Sequence, residues 1–145
     1  MSASTSTQAA AGAVALVRRY YEAFNTGDVA GMIACVTDDV IHDVNQSERR
    51  TGKERFHAFC ARMAHHYKEE LRDITIMASA DGSRAAAEFN VHGTYLKSEE
   101  GLPPAKGQRY VLPAGTFFAI RDGRISRVTT YYNLTDWIMQ VGGPA

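Results

Sequence analysis

The second half of the chain alternates between apolar and polar residues, and this pattern constrains the fold more than any other feature. The stretch "SRAAAEFNVHGTYL" alternates with a period of two, as expected for a β-strand with one buried face. Similar segments flank it, "LRDITIMAS" before and "QRYVLPAGTFFAI" and "RISRVTTYYN" after. The pairs Asp81–Gly82 and Asp122–Gly123 predict hairpin turns. The pattern therefore predicts an antiparallel meander.

The alternation assigns the residues around Phe89 to two faces. One face is expected to line the interior and comprises Ala87, Phe89, Val91 and Tyr95. The other is polar and comprises Glu88, Asn90, His92 and Thr94. We therefore expect His92 to face solvent or a partner subunit. A register shift of one residue would invert the assignment and make His92 an alternative catalytic residue.

Apolar residues at helical spacing dominate the N-terminal half instead. They predict a first helix from about Ala13 to Asn25. Asp28 can cap a short second helix. The segment "TGKE", from Thr51 to Glu54, has the capping-box form and starts a third helix that is expected to end near Glu70. The segment "LTDWIMQ" predicts a short C-terminal helix.

The order of these elements predicts an α+β fold, because helices and antiparallel strands are segregated along the chain. We expect a single domain over residues 12–145. A disordered tail is expected over residues 1–11.

Composition narrows the classes of function. The 145 residues carry 16 basic and 16 acidic side chains, a balance that argues against a nucleic-acid partner. No apolar run is long enough to span a bilayer, so no membrane partner is expected. Cys35 and Cys60 are too few for a disulfide framework, which favours a cytoplasmic location. His57, His65 and His66 form no coherent metal triad, and we expect neither a metal nor a cofactor.

The stretch "VIHDVNQ" (Val40 to Gln46) places a carboxylate in an otherwise apolar strand. In a dry pocket, Asp43 would have a raised proton affinity and could remove a proton next to a carbonyl. The alternative is an aspartate held by backbone N–H groups or by Arg49 or Arg50. His42 must point to the opposite face of the strand, so a His42–Asp43 dyad acting on one substrate is not expected.

Several of these motifs resemble one family. "RRYYEAFNTGD", followed by a short helix and "TDDV", is similar to the opening of SnoaL-like and ketosteroid isomerase-like proteins of the NTF2-like superfamily. The "HD…TG" segment and the DG-turn strands fit the same pattern, which covers about Val14 to Gln140. The resemblance implies a cone-shaped, cystatin-like fold in which three N-terminal helices pack on a curved, mostly antiparallel sheet. It also implies a pocket at the mouth of the cone and a homodimer formed through the sheet face.

The resemblance further implies roles for individual residues. Ketosteroid isomerase combines an aspartate base with an oxyanion hole of tyrosine and protonated aspartic acid. The matching positions here are Tyr20, and Asp43 nine residues before Gly52. Tyr20 could equally be a core tyrosine with its hydroxyl at the edge. Gly115 stands where the family has the acidic partner and Cys60 where it has a second tyrosine, so authentic steroid isomerisation is not expected.

Two functions stay open at this point. The first is a cofactor-free isomerase or polyketide cyclase-like enzyme that abstracts a proton from an apolar carbonyl compound. The second is a non-catalytic module of the same fold that binds a small molecule or dimerises. The cavity wall is expected to include Phe59, Cys60, Phe89, Val91, Gly115, Phe117, Tyr132 and Trp137.

Overall fold

The computed structural model describes residues 3–142, which fold into four helices and one six-stranded sheet. The helices are α1 (Ala3–Asn25), α2 (Val29–Ala34), α3 (Lys53–His66) and α4 (Leu134–Gly142). The strands are β1 (Val36–Val44), β2 (Arg50–Thr51), β3 (Tyr67–Ala78), β4 (Arg84–Tyr95), β5 (Arg109–Arg121) and β6 (Arg124–Tyr132). The predicted α+β class is confirmed.

The strands form a curved sheet in the order β2-β1-β6-β5-β4-β3. β1 and β6 run parallel, and the other neighbours run antiparallel. The predicted meander is β3 to β6. Asp122 and Gly123 have φ angles of 52° and 75°, the positive values that a two-residue type I′ turn requires between β5 and β6. A bulge between Arg72 and Thr75 interrupts β3 and bends it.

The core lies between the helices and the inner face of the sheet. α1 contributes a buried stripe at helical spacing, formed by Leu16, Val17, Tyr20 and Tyr21. The inner face of β4 is buried as predicted, at Ala87, Phe89, Val91 and Tyr95. His92 lies on the outer face of β4 opposite Val111 of β5, so its position does not favour the alternative catalytic role.

The first helix begins earlier than predicted. α1 starts at Ala3, so residues 3–11, expected to belong to a disordered tail, are helical. Residues 1 and 2, the rest of that predicted tail, lie outside the described residues. The segment contains a run of alanines at positions 9–11, and alanine has the highest helix propensity.

The start and end of the third helix also differ from the prediction. Thr51 pairs with Ile41 in the sheet, and Gly52 occupies the N-cap of α3 without a side-chain bond. The predicted capping box therefore does not form. The helix ends at His66, and β3 begins at Tyr67, so the four residues up to Glu70 belong to a strand.

Candidate functional site

A cavity of about 890 Å³ lies between the helices and the inner face of the sheet. Its size and its mostly apolar wall are typical of a small-molecule site. Six residues predicted for the wall belong to it: Phe59, Cys60, Phe89, Val91, Tyr132 and Trp137.

Gly115 and Phe117 do not belong to this wall, and their predicted role there is corrected. Ala114 and Thr116 line the cavity, and successive residues of a strand point to opposite faces. Gly115 and Phe117 therefore face outward. Phe117 is 48% exposed, with its ring centroid 6.1 Å from that of Tyr131.

The structure reverses the faces predicted for His42 and Asp43. His42 is 4% exposed and lines the cavity together with Val44. Asp43 points to the outer face, where the Thr129 hydroxyl of β6 donates a hydrogen bond of 2.8 Å to its Oδ2. The reason is the strand period of two, since Val40, His42 and Val44 must share one face.

Asp43 is held by an ion pair outside the cavity. Arg49 donates from Nε and Nη2 to the two carboxylate oxygens, at 2.8 and 3.0 Å. These bonds, together with the bond from Thr129, hold the pKa of Asp43 below its ordinary value. A base in a dry pocket would have the opposite shift. The geometry thus matches the alternative in which Asp43 is held by Arg49 instead of acting as a base.

Tyr20 faces the cavity, as its predicted role requires. It is 5% exposed and belongs to the cavity wall. Its ring packs edge-on against Tyr21 and Phe118, with centroid distances of 5.2 and 5.9 Å. Burial raises the pKa of Tyr20 well above its ordinary value, so the phenol keeps its proton and can donate a hydrogen bond.

The cavity wall contains a carboxyl group that the sequence analysis missed, Glu69 of β3. Its Oε2 accepts a hydrogen bond of 2.5 Å from the Tyr110 hydroxyl. The Tyr110 ring in turn lies edge-on to Trp137, with a centroid distance of 5.9 Å. Burial raises the pKa of Glu69. A carboxyl group with raised proton affinity in a cavity is a candidate for proton transfer.

The sequence does contain a signal for Glu69. Tyr67, Glu69 and Leu71 alternate with polar residues, so the period of two extends back into the segment predicted as helix. Tyr67 and Leu71 are both buried, and Glu69 shares their face of β3.

Two basic residues add to the polar part of the wall. His42 and Arg50 lie opposite each other across β1 and β2, and both line the cavity. Burial lowers the pKa of His42 to about 4, and the nearby Arg50 cation contributes to this shift. The imidazole is therefore neutral at pH 7. The Arg50 guanidinium lies over the Phe59 ring, 4.8 Å from its centroid.

Across residues 3–142, no three His, Cys, Asp or Glu side chains are grouped so that they could hold a metal ion.

Within the same residues, no helix combines the length and the apolar character needed to cross a membrane. Cys35 and Cys60 are both free thiols.

The fold and the site together define a protein built around a large, mostly apolar cavity. The chain belongs to the SnoaL-like domain family, whose model matches residues 17–128. This confirms the family resemblance found in the sequence.

Three solved structures are similar to the chain, and each is named as a proposed polyketide cyclase. The protein of Pseudomonas putida KT2440 is 60% identical, covers 89% of this chain and 97% of its own, and has a TM-score of 0.88. That of Xanthomonas campestris pv. campestris is 52% identical, with coverages of 91% and 98% and a TM-score of 0.89. That of Silicibacter sp. TM1040 is 59% identical, with coverages of 90% and 95% and a TM-score of 0.88. Among curated proteins, none matches the chain.

Proposed function

We propose that this protein is a cofactor-free enzyme of the cyclase or isomerase type that removes a proton from an apolar carbonyl compound held in the cavity. The family and the names of the three similar structures favour this type of reaction. The observation that carries the proposal is Glu69, a carboxyl group whose pKa is raised by burial in the wall of a largely apolar cavity.

Glu69 acts as the base in this proposal. Burial disfavours the charged carboxylate, so Glu69 binds a proton more strongly than a carboxylate in water does. A pKa closer to the working pH makes a more effective general base. Tyr110 holds Oε2, and Oε1 takes the proton. The C–H bond next to the carbonyl breaks, and its electron pair forms the enolate.

The enolate oxygen needs a hydrogen-bond donor, and Tyr20 supplies it. Tyr20 belongs to the same cavity wall, and its raised pKa keeps the hydroxyl group protonated. A donor aimed at developing negative charge stabilises the transition state more than the ground state. The proposal thus keeps the role predicted for Tyr20 and transfers the role of base from Asp43 to Glu69. This step uses a carboxylate and a phenol alone and needs no cofactor.

Deuterium exchange tests the proposal without knowledge of the natural substrate. The probe is 2-tetralone, an apolar ketone with acidic α-hydrogens, incubated with the protein in D₂O and followed by mass spectrometry. Glu69→Gln keeps an acceptor for the Tyr110 hydroxyl but cannot take the proton. We expect this variant to lower the protein-catalysed exchange rate by about 100-fold, the scale of general base catalysis.

Glu70→Gln is the matched control. Glu70 is the next residue of the same strand, exposed and paired with Arg72 on the other face. Its variant should exchange deuterium at the wild-type rate. An unchanged rate in Glu69→Gln would remove Glu69 from the mechanism.

A non-catalytic small-molecule-binding module is the second candidate. It is favoured by the position of Asp43, because the base implied by the family resemblance is tied to Arg49 outside the cavity. In this case wild-type protein would bind 2-tetralone without accelerating its exchange over the buffer rate.

We also propose that a second copy of this chain covers the outer face of the sheet. Met77 and Phe117 lie in register across β3, β4 and β5 and are 53% and 48% exposed. Tyr131 adds a third large side chain that is 52% exposed. Apolar patches of this kind mark interaction surfaces, and the formal net charge of zero limits repulsion between copies.

Size-exclusion chromatography with light scattering tests the dimer. The wild-type protein should elute as a dimer, and Phe117→Glu should elute as a monomer. Met139→Glu is the control, because Met139 is a large apolar side chain that is 70% exposed but belongs to α4 and not to a strand of the sheet. A monomeric wild-type protein would contradict the proposal. A cytoplasmic location, expected from the cysteine content, stays a prediction.

A further inference from the structure

Arg50 carries a positive charge into the cavity wall without a carboxylate to balance it. Across the described residues 3–142, no ion pair involves Arg50, and its Nη1 is buried without a hydrogen-bond partner. Asp43, the nearest carboxylate along β1, points to the outer face and is bound to Arg49. A buried donor without a partner is costly, and a charged one more so.

His42 has the same deficiency at the same place. Its Nδ1 is also buried without a partner among the described residues, and the whole residue is only 4% exposed. His42 and Arg50 are direct cross-strand neighbours, so their side chains extend from the same face of the sheet. Two nitrogen atoms without hydrogen-bond partners therefore belong to neighbouring residues of the cavity wall.

Phe59 fixes the positions of both groups. Its ring centroid lies 4.5 Å from that of His42 and 4.8 Å from the Arg50 guanidinium carbon. The guanidinium of Arg62 lies on the same ring at 5.7 Å, but it has a partner in Glu99 at 3.4 Å. Of the two guanidinium groups on the Phe59 ring, that of Arg50 is therefore the one without a carboxylate partner.

The surroundings favour an anion at this end of the cavity. A groove of about 310 Å³ adjoins the cavity and shares Arg50, Phe59 and Arg62 with it. Arg49 and Arg55 also line the groove, and Glu48 is the acidic residue in its lining. Asp43 and Glu99 pair with Arg49 and Arg62. Arg50 and Arg55 are in no ion pair among the described residues, and their positive charge attracts anions to the groove.

We propose that His42 and Arg50 form a subsite for the carboxylate of the cavity's ligand. One carboxylate oxygen accepts from Arg50 Nη1 and the other from His42 Nδ1–H, with the neutral imidazole in that tautomer. The planar guanidinium suits the planar carboxylate. The natural ligand is then an apolar acid that also carries a carbonyl group. This inference rests on the proposed function only in placing the ligand in the cavity, and it does not depend on catalysis by Glu69.

Calorimetric titration with two matched probes tests the subsite. The probes are 4-phenylbutyrate and its uncharged amide, 4-phenylbutanamide, titrated separately into the full-length protein at pH 7. A charge-assisted hydrogen bond contributes about 1.5–3 kcal/mol, so the acid should bind wild-type protein about tenfold more tightly than the amide, or better. Equal affinities in wild-type protein would overturn the inference, whatever the variants do.

Two variants separate a specific subsite from general attraction. Arg50→Gln should reduce the preference for the acid to less than about twofold. Arg55→Gln removes the same charge from the groove but not from the cavity wall, so it should keep the preference. An equal loss in both variants would indicate general electrostatics and overturn the subsite, as would a preserved preference in Arg50→Gln. Circular dichroism checks folding, and the wild-type comparison decides if Arg50→Gln does not fold.

The two proposals can fail separately. If Glu69→Gln exchanges deuterium at the wild-type rate while the acid preference holds, the catalytic proposal fails and the subsite stands. If the exchange depends on Glu69 while acid and amide bind equally, the subsite fails and the catalytic proposal stands.

Discussion

A side chain at Gly93 should destabilise the protein, because the Tyr110 ring occupies the space into which it would extend. The two residues are cross-strand partners on β4 and β5. A Cβ atom added at Gly93 would lie 2.2 Å from Cζ and 2.4 Å from the hydroxyl oxygen of Tyr110. Atoms of this kind are found no closer than about 3.4 Å in ordinary contact. The ring would therefore have to move by more than 1 Å, the difference between an ordinary contact of about 3.4 Å and the 2.2 Å found here.

The ring has little freedom to move. Tyr110 is 2% exposed, is hydrogen-bonded to Glu69 at 2.5 Å and packs against Trp137. Gly93→Ala should therefore behave as an overpacked core substitution and cost about 1–3 kcal/mol of unfolding free energy. For a chain of this size, that corresponds to a fall in Tm of about 3–10 °C.

Thermal unfolding followed by circular dichroism measures this effect. Gly115→Ala is the matched control, because a Cβ there would meet only the Ala87 carbonyl oxygen, at 3.7 Å. The control should melt within about 2 °C of wild type, since this substitution can also restrict the unfolded chain. If Gly93→Ala melted as high as Gly115→Ala, the Tyr110 ring would not be confined as described.

Three further predictions concern the site. Tyr20→Phe should lower the deuterium exchange rate of 2-tetralone by about 100-fold, the effect of one lost oxyanion donor, and an unchanged rate would contradict the role given to Tyr20. The wild-type exchange rate should rise with pH and show an inflection above the ordinary glutamate pKa of about 4.3. The reason is that Glu69 must be ionised to act as the base and that its pKa is raised. An inflection below about pH 4.3 would identify another base. Asp43→Asn should lower the free energy of unfolding measured in urea at neutral pH. The difference from wild type should shrink below about pH 4, because a carboxyl group with a lowered pKa in the folded state loses its stabilising effect as acid protonates it. A difference in unfolding free energy that persisted in acid would refute the ion pair as its cause.

The long meander could be predicted from the sequence because its signals are local. β4 alternates over twelve residues, so its register is fixed by its own pattern, and the inward positions of Phe89 and Val91 follow. The turn at Asp122–Gly123 requires positive φ at both residues, which this dipeptide accepts readily. Neither feature depends on distant parts of the chain.

β1 was harder to interpret because its pattern is ambiguous. Val40, Ile41 and Val44 are apolar, so either face of the strand could be the buried one. The choice is made by pairing with β6, which lies more than 80 residues away along the chain, for example between Asp43 and Thr129. Such long-range pairing leaves no local mark in the sequence. The family resemblance implied that Asp43 faces the cavity, whereas the structure turns Val40, His42 and Val44 inward.

Glu69 illustrates a different difficulty, a boundary between two elements. The residues before Leu71 suit a helix by composition, and the helix-to-strand change at His66 and Tyr67 has no glycine or proline to mark it. Once β3 is extended back to Tyr67, Glu69 falls on the inner face. A candidate base was therefore concealed by an error of four residues in a helix end.

The most direct test of the account compares Glu69→Gln with Asp43→Asn in the same deuterium exchange assay. Both substitutions remove one carboxylate and keep its shape. If the cavity performs the chemistry through Glu69, exchange of 2-tetralone should fall by about 100-fold in Glu69→Gln and stay at the wild-type rate in Asp43→Asn. The opposite result, loss of exchange in Asp43→Asn with full activity in Glu69→Gln, would contradict the proposed mechanism.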